Sequence, residues 1–233
     1  MDVSRLKSLK AFISVRVLSL LVLLPLITAC SSVHKLPTTP NIYSSSAQYP
    51  AQNIAPSERG TSSKIYYITD RQPHVQKGEL DTYGKERSPS MVFGEAIVSY
   101  DENLSWDELT QISETQSNRP DVKVEIDSLS EVSRFPPTPL VFSITPQGIQ
   151  VDSDQQRSYD QSISVMKETI AERLEASKQK DIVLYVHGFN NSFDDAVLDI
   201  NDVWHFSGRH GVPIAYTWPS GTCLLYTSDA ADE

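Results

Sequence analysis

The chain has 233 residues, of which 39% are hydrophobic, so it can form one domain of ordinary size or two small ones. Its formal net charge is −10 and it carries no basic cluster, which argues against nucleic-acid binding and against electrostatic attraction to anionic lipid. The only cysteines, Cys30 and Cys223, lie in the two terminal segments, so we expect no structural disulfide.

The N-terminus has the features of a bacterial export signal. Basic residues precede the apolar stretch Val17–Ala29, which is typical of a signal peptide over residues 1–29. The end of this stretch together with the next residue, Leu26-Ile27-Thr28-Ala29-Cys30, resembles a lipobox, in which the cysteine is lipidated and becomes the mature N-terminus. This resemblance implies a membrane anchor at Cys30, and Ser31 after it implies the outer membrane. An ordinary signal peptide or an uncleaved anchor is the alternative.

The C-terminal segment Cys223–Glu233 has no pattern in common with what precedes it. Its letters, CLLYTSDAADE, resemble the translation of a sequencing adapter. We therefore expect residues 223–233 to be non-native and the natural sequence to continue differently after about Thr222. The alternative is a genuine amphipathic tail.

Between these ends we predict a tether followed by a folded domain. Residues 30–63 are rich in Ser, Thr, Pro, Gln and Asn and lack hydrophobic periodicity, which predicts a flexible segment. The folded domain is expected over residues 64–222. Its first half should contain strands and one short helix separated by loops, including a loop at Arg71–Ser90. We predict strands at Lys64–Asp70, Met91–Tyr100, Val122–Ile126 and Leu140–Ile144, and a helix capped by Ser105.

The second half alternates helices and strands. Apolar residues at spacings of three and four predict a helix over Ser153–Gln179. The β-branched run Ile182–Val186 predicts a strand buried on both faces. Ser192 and Asp195 form a capping-box pattern for a second helix, and Val212–Trp218 predicts the next parallel strand, which we expect at an unpaired edge. This series is typical of an α/β fold.

The turn after Ile182–Val186 is the candidate site. It reads His187-Gly188-Phe189-Asn190-Asn191-Ser192 and joins a strand to a helix, where open α/β sheets bind ligands. Gly188 allows a close backbone approach and leaves the next N–H free. His187 is more simply interpreted as a residue that holds the loop than as a base. The two asparagines also fit as turn formers.

A family resemblance rests on several motifs together. The HGFNNSF run of His187–Phe193, the Trp-Pro-Ser-Gly of 218–221, and the upstream Thr69-Asp70-Arg71 and Tyr83-Gly84-Lys85-Glu86-Arg87 resemble uncharacterised bacterial α/β-hydrolase-like proteins, many of them lipoproteins. The resemblance implies the N-terminal half of an α/β-hydrolase, incomplete, with a mostly parallel sheet flanked by helices. It also implies that the backbone N–H of Phe189, with Asn190 second, is an oxyanion-hole donor, and that His187 and Gly188 set the loop geometry.

The sequence lacks the motif that would carry a serine nucleophile. No Gly-x-Ser-x-Gly occurs between Cys30 and Gly221, and in α/β-hydrolases the nucleophile, acid and histidine follow in that order. We expect the full-length protein to be a serine hydrolase of the bacterial envelope that cleaves an ester, thioester or amide in a small-molecule or acyl substrate. We expect the chain as given to be an inactive fragment. The alternative is a non-catalytic envelope lipoprotein that uses the fold for binding or structure. No metal-ligand spacing is present, and no cofactor is expected.

Overall fold

The computed structural model describes residues 33–45, 49–115 and 120–220. Residues 1–32 and 221–233 lie outside this part, so the signal peptide, Cys30 and the C-terminal tail are predictions without a structural test. Within the described residues, no helix combines the length and the apolar character needed to cross a membrane.

Seven strands and four α-helices occur in the described part of the chain. In order they are α1 (Asn41–Ser45), β1 (Ser62–Gln76), β2 (Glu79–Tyr100), α2 (Trp106–Glu114), β3 (Val124–Arg134), β4 (Phe142–Thr145), β5 (Gly148–Val151), α3 (Ser153–Ala176), β6 (Ile182–Val186), α4 (Phe193–Phe206) and β7 (Val212–Thr217). Two short 3₁₀ turns, Ala51–Asn53 and Pro56–Glu58, precede β1.

Five strands form one mixed sheet in the order β3-β2-β1-β7-β6. β2 is antiparallel to both of its neighbours, whereas β1, β7 and β6 are parallel. Four of the five strands therefore run in the same direction, and helices pack on both faces. This is the α/β fold that the sequence predicts. β4 and β5 form a separate antiparallel hairpin.

The two faces of the sheet carry different helices. α4 covers the face on which Ile65, Tyr67 and Ala215 are buried. α3 covers the opposite face through Met166, Ile170 and Leu174, which pack against a small cluster that contains the following strand residues: Tyr66, Phe93, Val212 and Ile214. The alternation of side chains along each strand thus supplies both layers of the core.

Gly94 in β2 is needed for the packing of the first face. A Cβ atom placed there would come within 2.2 Å of the ring of Tyr67 and within 2.5 Å of the Ser130 carbonyl oxygen. The Tyr67 ring in turn meets Phe193, the first residue of α4, edge-on with centroids 5.0 Å apart. A side chain at position 94 would therefore displace a contact that sets where α4 begins.

The segment Arg71–Ser90 is strand rather than the predicted loop. It extends β1 and β2 into a long hairpin that turns at Lys77-Gly78, where both residues have positive φ angles of 52° and 89°. Several register shifts interrupt its pairing. Much of this ribbon projects beyond the core, where an antiparallel ladder needs no apolar side chains. Its composition is therefore polar, and this led to the prediction of a loop.

The positions of the last two strands also differ from the prediction. β7 lies between β1 and β6 and is largely buried, so Val212–Trp218 is not the edge. The edge is β6, where Ile182, Leu184 and Val186 are 50%, 57% and 55% exposed, so the prediction that this strand is buried on both faces is wrong. Local sequence cannot distinguish these arrangements, because the crossover from β6 through α4 can place β7 on either side.

The predicted tether is wrong for the part that the structure describes. Leu36, Tyr49 and Ile54 are buried in the main core, and Leu36 N–H donates to the Val122 carbonyl oxygen at 2.9 Å. His34 contacts Asp202 of α4, with Nε2 and Oδ2 2.7 Å apart. Averaged over the segment, the composition is polar, but a few apolar residues are enough to dock an arm on a preformed core. We call residues 34–45 and 49–60 the N-terminal arm.

Candidate active site

The candidate site lies where β6 and β7 end. The loop His187–Ser192 leaves the carboxyl end of β6, and Trp218–Ser220 leaves the carboxyl end of β7 beside it. Arg71 of β1 reaches both of these segments with its guanidinium group. The carboxyl edge of the parallel strands therefore brings together residues that are far apart in sequence.

His187 is buried and both of its ring nitrogens are occupied. Nε2 lies 3.1 Å from the Trp218 backbone N–H and 3.3 Å from Nη2 of Arg71, groups that can only donate. Nε2 also lies 3.0 Å from the Trp218 carbonyl oxygen, and Nδ1 lies 2.7 Å from the Gly188 carbonyl oxygen, two groups that can only accept. With both ring nitrogens engaged, the imidazole connects the loop after β6 with the segment after β7. The loop-holding role of His187 stays a prediction.

Gly188 borders open space. A Cβ atom placed there would meet nothing within 4 Å, and the residue does not adopt a left-handed conformation. Neither backbone strain nor crowding by the described residues accounts for glycine at this position. The open space is compatible with the close approach of a substrate that we predicted.

Phe189 and Asn190 form the exposed tip of the loop. Asn190 has a φ of 65°, a left-handed conformation that asparagine adopts more readily than most residues. Phe189 is 45% exposed. Among the described residues, neither backbone N–H has a hydrogen-bond acceptor. In α/β-hydrolases one oxyanion donor comes from this loop and the other from the residue after the nucleophile, so a free N–H on this turn is what such a site needs from the loop.

Hydrogen bonds with residues of α4 hold the end of the loop that leads into this helix. Ser192 and Asp195 form a reciprocal capping box at the start of α4, as predicted. The Tyr185 hydroxyl donates to the Asp199 carboxylate at 2.9 Å, and the Asn191 amide reaches the same oxygen at 3.4 Å. Burial, followed by the hydrogen bond to Asp199, raises the pKa of Tyr185 to about 12. Tyr185 is therefore a constant donor at neutral pH.

Arg71 is the site residue for which the sequence suggested no role. It is 1% exposed, and its guanidinium donates to carbonyl or hydroxyl oxygens of Gly84, Asn191 and Ser220. Burial lowers its pKa, although nearby Asp70 opposes this effect. The feature of the sequence that could have pointed to Arg71 was its place in the Thr-Asp-Arg motif. A buried arginine reaching residues more than a hundred positions away could not be recognised from spacing.

The serines near histidines in the described part are not arranged as nucleophiles. Ser220 donates its hydroxyl proton to the Asn191 carbonyl oxygen at 2.8 Å and is almost fully buried. Ser113 lies 2.8 Å from Nε2 of His205, but both residues are completely buried in the core, and Ser113 donates to the Leu109 carbonyl oxygen. The described residues also contain no group of three or more His, Cys, Asp or Glu able to hold a metal ion.

Comparison with known families supports the lineage suggested by this geometry. Residues 162–232 match a family described as "Alpha/beta hydrolase of unknown function (DUF900)". The matched segment begins within α3 and includes β6, the loop, α4 and β7. It also extends into Cys223–Glu233, so this comparison lends no support to a non-native origin of the tail. No curated protein and no solved structure matches the chain.

The chain is therefore similar to an α/β-hydrolase family over its last third and has a fold consistent with that similarity. The upstream motif containing Arg71 lies outside the matched residues. The placement of His187–Ser192 at the sheet edge is described by the structure. The chemical roles of Phe189 and Asn190 remain predictions.

Proposed function

We propose that the full-length protein is a serine hydrolase that cleaves an ester, thioester or amide. The observation that carries the proposal is the pair of unoccupied N–H groups of Phe189 and Asn190 at the end of β6, within a strand–helix–strand unit similar to α/β-hydrolases. The described residues contribute an oxyanion loop, and the nucleophile, acid and base belong to sequence outside them.

In this mechanism the loop acts as the carbonyl group is attacked. Negative charge develops on the carbonyl oxygen, and the N–H of Phe189, with Asn190 second, donates hydrogen bonds to it. One such donor typically lowers the barrier by about 2.7–4 kcal/mol. His187 transfers no proton in this scheme. Its role is to keep the loop and Trp218 in contact.

The free edge of β6 indicates where the nucleophile would be located. Within the described residues, β6 has one partner strand, β7. In α/β-hydrolases the nucleophilic serine follows a strand at a sharp turn. A strand paired in parallel with the open edge of β6 would end beside Phe189, which places its turn next to the proposed donors.

A fluorophosphonate probe tests the enzymatic proposal on the full-length product of the gene. We expect labelling of one serine under native conditions and none after heat denaturation. Replacing that serine by alanine should abolish labelling and hydrolysis of p-nitrophenyl acetate. If the folded full-length protein is neither labelled nor active on acyl esters, the serine-hydrolase proposal is wrong.

A non-catalytic envelope protein is the second candidate. It is favoured by the engagement of His187 and Ser220 in structural bonds, which leaves no reacting side chain at the loop in the described residues. The full-length gene distinguishes the two functions. A Gly-x-Ser-x-Gly turn followed by an acid and a histidine indicates the enzyme, and replacement of these residues indicates binding or structure.

We further propose that Cys30 is lipidated and anchors the protein in the bacterial envelope, as an outer-membrane lipoprotein. The support is the sequence pattern of residues 1–30. Metabolic labelling with an alkyne fatty acid should tag the wild-type protein and not the C30S variant.

A further inference from the structure

Arg71 carries a buried charge that forms no ion pair within the described residues, although Asp70, Asp194 and Asp195 are near enough to favour it. It is one of the largest fully buried side chains of the described part, and no carboxylate there forms an ion pair with it. Burying a cation is costly unless hydrogen bonds replace its hydration. One of its donors, Nε, has no partner among the described residues. Replacing a buried charge by an apolar side chain of similar volume is often neutral for stability, so the charge of Arg71 points to a role other than packing.

The guanidinium group instead connects three segments of the chain. Nη1 donates to the Gly84 carbonyl oxygen at 3.0 Å in the long hairpin. Nη2 donates to the Asn191 carbonyl oxygen at 2.8 Å in the loop and lies 3.3 Å from both Nε2 of His187 and Oγ of Ser220. A planar fork with fixed donor directions can hold such acceptors in one geometry, which an ammonium group cannot.

Two of these contacts converge on one carbonyl. The Asn191 oxygen accepts from Arg71 at 2.8 Å and from the Ser220 hydroxyl at 2.8 Å. Asn191 directly follows the left-handed residue Asn190. Fixing this carbonyl therefore restricts rotation of the turn that carries the N–H groups of Phe189 and Asn190.

We propose that Arg71 is a positioning residue for the oxyanion loop. It acts through the Asn191 carbonyl oxygen and His187, and it orients the Phe189 and Asn190 donors before substrate binds. This inference rests on the proposed function for its catalytic consequence. The loop-holding part of the inference can be tested without activity.

The first experiment is hydrogen exchange on the full-length protein, comparing the wild type with R71M and R71K. Arg87 supplies the matched control R87M, because it lies in the same hairpin but its side chain is 71% exposed. We expect exchange of residues 187–192 to accelerate about 10-fold or more in R71M, less in R71K, and not in R87M, while β7 keeps its protection. Unchanged loop exchange in R71M would overturn the proposal. So would equal acceleration throughout the sheet, which would show a general loss of stability.

The second experiment measures catalysis in the same variants. A donor displaced by about 1 Å can cost about 100-fold in rate, so kcat should fall by that order in R71M with KM changed less than about threefold. R71K should recover part of kcat because it can still donate to the Asn191 carbonyl oxygen. Unchanged kcat in R71M would contradict the catalytic consequence. A wild type without activity would refute the proposed function, whereas the exchange result would still decide whether Arg71 holds the loop.

Discussion

The imidazole ring of His187 stacks on the indole ring of Trp218, with ring centroids 5.3 Å apart and planes inclined by 7°. The Trp218 backbone N–H donates to the imidazole, and its indole N–H donates to the His187 carbonyl oxygen at 3.1 Å. Stacking and two hydrogen bonds donated by Trp218 thus join the segments that follow β6 and β7.

Replacing Trp218 by phenylalanine tests the contact. The ring is kept, but the donor to the His187 carbonyl oxygen is lost, so we expect a loss of about 1 kcal/mol in the free energy of unfolding. W218A also removes the stacking and should lose about 0.5–1.5 kcal/mol more from that source, in addition to the lost apolar burial. Urea denaturation of both variants measures these losses. A W218F protein as stable as the wild type would show that the indole hydrogen bond contributes nothing.

The N-terminal arm should contribute to the stability of the domain. Ile54 is 0% exposed, and truncating a fully buried isoleucine to alanine typically costs about 2–5 kcal/mol. We expect I54A to lower the free energy of unfolding by an amount in this range. I42A is the control, because Ile42 in α1 is 59% exposed and should change stability by less than about 0.5 kcal/mol. Equal small effects of both substitutions would mean that the arm is not docked.

Docking of the arm should also depend on pH. The hydrogen bond to Asp202 raises the pKa of His34 above 6.5. The folded state therefore binds the proton more tightly, and the contribution is complete below pH 6.5 and is lost as pH rises through the raised pKa. Burial raises the pKa of Asp202 and favours acid conditions in the same direction.

The H34Q variant isolates the contribution of His34. At pH 5.5 we expect it to be less stable than the wild type by up to about 1 kcal/mol, and the difference should shrink by pH 8.5. Urea denaturation of both proteins at the two pH values measures the change. A difference that stays constant between pH 5.5 and 8.5 would contradict a protonated His34 in the pair.

The open edge of β6 should promote association of the 233-residue chain. Unpaired backbone groups with exposed apolar side chains pair readily with other strands, and a lysine on such an edge opposes this. L184K, at a position 57% exposed, should therefore raise the soluble monomeric fraction in size-exclusion chromatography. V183K is the matched control on the other face, where Val183 packs against the core, and it should lower stability instead. If L184K leaves association unchanged, the β6 edge is not responsible.

The elements best predicted were those with a strong local cause. The bounds of β6 and the capping box at Ser192 and Asp195 were predicted correctly, because a β-branched run and a cap depend on adjacent residues. The long hairpin and the docked arm were missed, because their structure depends on contacts with distant residues that composition does not report. The same holds for Arg71, whose partners at Asn191 and Ser220 are far along the chain.

The amino-acid sequence by itself determined the α/β class, the loop at His187–Ser192 and the absence of a Gly-x-Ser-x-Gly turn between Cys30 and Gly221. These follow from periodicity, turn residues and motif spacing, which are local properties. Only the tertiary structure decided that β7 is inserted beside β1, that β6 is the open edge and that Arg71 is bound to the loop. Strand order and buried polar contacts join residues distant in sequence, so their energies are defined only when the chain is folded.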